Sequence, residues 1–142
     1  MKKIKILDCT FRDGGYYNNW NFQKKVVSEY IDKINKSNID VIEVGFRFAE
    51  KKIQSGPFAF ATDQFIKKLK INKKIEVAIM INASDLINQN ITSEEILKKI
   101  LNKKKNSPVK YIRIAAHFHE VEDIIKSLKS IKKLGYHVIL NI

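Results

Sequence analysis

Apolar positions along this chain fall into two alternating rhythms. Ile4 to Leu7 is a short apolar run that predicts a strand. Phe22, Val26, Val27, Tyr30, Ile31 and Ile34 then recur at helical spacing. Val41 to Phe46 predicts a second strand, and beyond the loop at Gly56-Pro57 a helix carries Phe65, Ile66 and Leu69. Ile75 to Ile81 predicts a third strand. Thr92 with Glu95 has the spacing of a capping box, opening a helix through Ile96, Leu97, Ile100 and Leu101. Val109 to Ala115 is the fourth strand, and the helix after it is expected to bury Val121, Ile124, Ile125, Leu128, Ile131 and Leu134 before ending at Gly135. Tyr136 to Ile142 reads as a fifth strand.

Strands that are near-continuous apolar runs, each followed by one helix, indicate an α/β fold with a parallel sheet. Two architectures fit: an open doubly wound sheet, or part of a barrel of eight strand-helix units. In both, chemistry sits at the carboxyl ends of the strands. Those ends are polar here: Asp8, Arg12 and Asp13 after strand one, Glu43 and Arg47 at strand two, Asn82 and Asp85 at strand three, His117 and His119 at strand four, and Asn141 in strand five. A purely structural scaffold has no reason to gather such groups at one end of every strand.

Composition narrows the picture. The 142 residues are 44% hydrophobic, enough for one domain with a real core. A formal net charge of +12 raises the question of nucleic acid. The lysines are spread helix by helix, at Lys24-Lys25, Lys67-Lys68, Lys98-Lys99, Lys103 to Lys105 and Lys132-Lys133, which describes solvated helix faces and argues against a nucleic-acid interface. No apolar run is long enough to span a bilayer, so no membrane partner is expected. Cys9 is the single cysteine, and the expected location is cytoplasmic.

The stretch LDCTFRDGGYYNNW resembles the strand-one signature Asp-x-Thr-Leu-Arg-Asp-Gly of the metal-dependent lyases and aldolases related to 3-hydroxy-3-methylglutaryl-CoA lyase, 4-hydroxy-2-oxovalerate aldolase and isopropylmalate synthase. Phe11 replaces the usual leucine. VIEVGFRF is similar to the second-strand glutamate segment of the same group. The resemblance implies the amino-terminal part, residues 1–142, of one aldolase-type TIM-barrel catalytic domain: about four strand-helix units plus strand five. It implies carbon-carbon lyase activity on a 2-oxo acid or acyl-CoA substrate, with Asp13 ligating Mg²⁺ or Mn²⁺ and Arg12 steadying the enolate oxygen. Asp8 and Glu43 are expected to orient Arg12 and nearby water, with Arg47, His117 and Asn141 in contact with substrate.

Plainer readings stand beside these. Asp13 can begin a glycine turn, and Arg12 can pair with Glu43 as an interior ion pair. Cys9 reads as an inert thiol, and Tyr16, Tyr17 and Trp20 either line a pocket mouth or pack the loop. In the family a His-x-His pair of metal ligands stands on the seventh strand; His117-Phe118-His119 follows the fourth, so substrate contact by His117 or capping of the next helix is expected instead. Strands six to eight lie outside these residues. Self-association, or a second chain supplying the other half-barrel, is therefore expected, and a non-catalytic half-barrel subunit is the alternative function.

Overall fold

The computed structural model describes residues 4–50, 54–87 and 91–142. The strands are β1 (Leu7–Asp8), β2 (Val41–Phe46), β3 (Glu76–Asn82), β4 (Val109–Ala115) and β5 (His137–Asn141). The helices are α1 (Thr10–Asn18), α2 (Lys24–Lys36), α3 (Asp63–Lys68), α4 (Ala83–Leu86), α5 (Ser93–Ile100) and α6 (Val121–Lys133). All neighbouring strands are parallel, in the order β1-β2-β3-β4-β5. Sequential order decides between the two architectures, because a doubly wound sheet reverses direction at a switch point and a barrel does not. The fold is a curled half-barrel: five consecutive strands of a TIM-type barrel.

Strand alternation separates the two faces. Ile79 and Ile81 of β3 and Ile112 and Ile114 of β4 are fully buried on the helix-covered side. Between them Tyr111, Arg113 and Ala115 are only part-covered on the concave side, as is Asn82. Continuing across the register, Arg113 pairs with Met80 and with Ile139, and Ala115 with Asn141. The concave face is therefore where charged side chains from different strands meet.

Several expectations need correction. β1 spans Leu7–Asp8, not Ile4 to Leu7, and Ile4 and Ile6 are exposed. As the edge strand it has only β2 to pair with. The Gly14-Gly15 pair makes no turn; both residues lie inside α1. Gly15 is required by packing, since a Cβ there would stand 1.9 Å from Trp20 Cδ1. The chain leaves α1 through Asn19 and Trp20, which take the left-handed conformation at φ 53° and 57°. In α6, Ile124, Ser127 and Ile131 form the buried stripe, leaving Ile125 exposed. Gly135 does end that helix region, at φ 98°. The Thr92–Glu95 capping box opens α5 as expected.

Candidate active site

Glu43, in the middle of β2, is fully buried, at 0% exposure. One of its oxygens, Oε2, accepts from Arg12 Nε at 2.8 Å and from Arg113 Nη1 at 2.8 Å. The other, Oε1, is buried and has no hydrogen-bond partner among the described residues. Arg12 comes from α1, which follows β1, so a helix packed across the strand ends delivers it. Trp20 fixes that helix: its ring lies on Gly15 and its Nε1–H donates to the Arg12 carbonyl at 3.0 Å. Arg12 also pairs through Nη1 with Asp13 Oδ1 at 2.8 Å. Burial alone would lower the pKa of Arg12, but its bond with Cys9 and the charges of Glu43 and Asp13 outweigh this and raise it. The cation is permanent.

Arg113 carries the cluster across the sheet. Nη1 lies 3.6 Å from Cys9 Sγ, and Nη2 donates to Asn141 Oδ1 at 2.9 Å. One guanidinium thus touches groups from β2, β5 and the loop after β1. Arg113 is not among the residues the sequence singles out, because it stands within β4 and not at its end. Its signal was a charged residue interrupting the apolar run of strand four, YIRIA.

The other expected residues divide. Asp8 does not orient Arg12 but accepts from the Thr10 backbone N–H and hydroxyl at 3.2 and 3.0 Å, setting the start of α1. Arg47 does not face the site. It is buried apart from the Glu43 cluster, donating to Asp63, the Ala61 carbonyl and the Ile100 carbonyl. His117 and Asn141 share the lining of a cavity of about 400 Å³ with Asn82, Ser84 and Glu120. His117 is exposed, its ring stacks on His119, and its backbone N–H donates to Glu120 Oε2 at 2.7 Å. His117 thus precedes the 3-10 turn Phe118–Glu120 that leads into α6, bonded there through its backbone. Asn82 and Asp85 line a neighbouring cavity of about 420 Å³.

Burial raises the pKa of the Cys9 thiol, which keeps it protonated and supports the inert reading. Trp20 packs against Phe46 and Phe48 while Tyr17 is exposed, so the aromatic run divides between packing and surface.

The fit for a divalent metal fails on these residues alone. Asp13 is 60% exposed with Oδ1 on Arg12, and among the described residues no cluster of three His, Cys, Asp or Glu side chains could hold an ion. What the arrangement can do by itself is hold two guanidinium groups against one buried carboxylate, and so stabilise negative charge at the strand ends.

No protein-family model matches the chain, and no curated protein does. Among solved structures, the crystal structure of the N-terminal domain of a candidate aldolase from Bacteroides vulgatus is similar over 97% of this chain, at 37% identity and a TM-score of 0.84. The chain spans 44% of the length of that protein chain, so the likeness extends over the whole half-barrel and is to the N-terminal domain of an aldolase-like protein.

Proposed function

We propose that residues 1–142 are the amino-terminal part of an aldolase-type catalytic domain that breaks or makes a carbon-carbon bond beside the carbonyl of a 2-oxo acid or an acyl-CoA. The observation that carries this reading is the fully buried Glu43 carboxylate holding Arg12 at the strand ends. The aldolase-like solved neighbour supports it.

In such a cleavage of a 4-hydroxy-2-oxo acid, a base takes the hydroxyl proton and the electrons of the O–H bond form the aldehyde carbonyl. The carbon-carbon bond breaks, and its electron pair delocalises onto the oxo oxygen as an enolate, later protonated at carbon. Arg12 donates to that oxygen as charge develops. Glu43 holds Arg12 in place, and Trp20 holds the backbone that carries it. His117 and Asn141 stand at the same end of the sheet and are proposed to touch the remainder of the substrate. Mg²⁺ or Mn²⁺ belongs to the proposal only with ligands beyond Asp13 from outside the described residues.

The concave face also bears on partners. Among the described residues β5 pairs with β4 alone, and Ile139 (40% exposed) and Ile142 (71% exposed) lie uncovered there. We propose that this edge is covered by a second half-barrel, from the same polypeptide or another copy. Among the described residues no helix is long and apolar enough to cross a membrane.

The test of reaction class is product analysis. The natural full-length protein, with Mg²⁺ or Mn²⁺, is incubated separately with 4-hydroxy-2-oxovalerate and with 3-hydroxy-3-methylglutaryl-CoA. Pyruvate from the first or acetoacetate from the second supports the reading. Neither product, with both metals, rejects it.

A further inference from the structure

Arg113 projects from the centre of β4 into the concave face, and its side chain is 13% exposed. Its Nη1 and the Nε of Arg12 each lie 2.8 Å from the same oxygen of Glu43, so the two guanidinium groups stand side by side. Their two positive charges meet one negative charge in Glu43. Arg12 has a second carboxylate, Asp13, but the outer arm of Arg113 ends on a neutral amide: Nη2 donates to Asn141 Oδ1 at 2.9 Å, at the exposed end of β5. An amide oxygen is the weaker partner, since a carboxylate adds charge–charge attraction and can take both arms of the guanidinium fork.

We propose that Arg113 is the specificity-determining residue of this site: its Nη2 takes the carboxylate of a 2-oxo acid in place of Asn141, while Arg12 faces the adjacent oxo oxygen. This rests on the proposed function and deepens it by choosing between the two substrate classes. A carboxylate and an oxo group on neighbouring carbons present two oxygens side by side, which two adjacent guanidinium groups match. A thioester has no carboxylate next to its carbonyl and leaves the outer arm of Arg113 unused. The competing explanation is that Arg113 only neutralises the buried Glu43.

The test is calorimetric binding of oxalate, a planar mimic of the pyruvate enolate with two neighbouring oxyanion groups, and of acetate, to the natural protein without metal. Arg113→Lys keeps a positive charge beside Glu43 but loses the fork. It should weaken oxalate binding about tenfold or more, the loss of roughly one charge-assisted hydrogen bond, and change acetate binding far less. Asn141→Asp puts a fixed carboxylate on the outer arm of Arg113 and should weaken oxalate binding as well, by competing for the same donor. Circular dichroism melts of both variants confirm that they fold. Oxalate binding unchanged in Arg113→Lys, absent from the parent protein, or unchanged in Asn141→Asp overturns the proposal. Failure of the broader reading looks different: a protein that binds oxalate through Arg113 but releases no pyruvate keeps the anion site and loses the catalytic assignment.

Discussion

Replacing Arg47 by methionine should cost a large part of the stability of this protein, although its position at a strand end suggests a substrate contact. Arg47 is 4% exposed. Its Nη2 donates to Asp63 Oδ1 and to the Ala61 carbonyl, both at 2.7 Å, and its Nη1 to the Ile100 carbonyl at 3.1 Å. Asp63 in turn accepts from Asn102 Nδ2 and Ser107 Oγ, each at 2.8 Å. Methionine fills similar space but leaves the buried Asp63 without its cation and two carbonyls without a donor. Breaking one side of such a pair costs about 3–5 kcal/mol, against a total of about 5–15 kcal/mol for an ordinary domain.

Acidity adds a signature to this loss. Burial pushes the Asp63 pKa up, but the bond from Asn102, the charge and hydrogen bond of Arg47 and the bond from Ser107 together bring it below the ordinary value. A depressed carboxylate contributes stability above its unfolded pKa of about 3.9, and this contribution disappears as pH falls through the folded value. The parent protein therefore loses this contribution in acid, and the gap between parent and Arg47→Met should narrow below about pH 4. Urea unfolding followed by circular dichroism at neutral and acidic pH measures both effects. An unchanged midpoint and slope at neutral pH would refute the structural assignment and return Arg47 to the substrate.

Two further outcomes follow from the same geometry. Asp13→Asn should weaken Mn²⁺ binding to the full-length protein by about tenfold or more, because an amide is a poorer ligand for a hard cation; equal binding by titration calorimetry would remove Asp13 as a ligand. Residues 1–142 alone should scatter light as a dimer or larger species through the uncovered β5 edge, where Ile139 lies exposed, and a stable monomer would show that the edge needs no cover.

The parts of the fold that local chemistry dictates are legible in the sequence. β4 occupies Val109–Ala115 as its apolar run indicates, and the glycine that ends α6 and the capping box of α5 stand where their sequence spacing puts them. The pairing of Arg12 with Glu43 was also readable, because Arg12 follows β1 and Glu43 lies on β2 beside it. What failed depends on distant partners. Gly14-Gly15 resembles a turn locally, and only the Trp20 ring against Gly15 shows why a helix needs glycine there. Arg47 resembles a site residue until Asp63, Asn102 and Ser107, from separate segments, close around its ion pair. Arg113 was hidden for the opposite reason. A cation inside an apolar strand has meaning only once β2 and β5 supply Glu43 and Asn141.

The central claim is that Arg12, held by Glu43, carries the negative charge of an enolate. Its most direct test is the turnover number for pyruvate release from a 4-hydroxy-2-oxo acid by full-length parent protein and Arg12→Lys, with folding and metal binding measured on both. Lysine keeps the charge but loses the planar fork that bonds Glu43 through Nε. Turnover should fall by about a hundredfold or more, the scale for losing one oxyanion-stabilising donor, with metal binding nearly intact. Unchanged turnover would contradict it and leave Arg12 as the structural partner of a buried carboxylate.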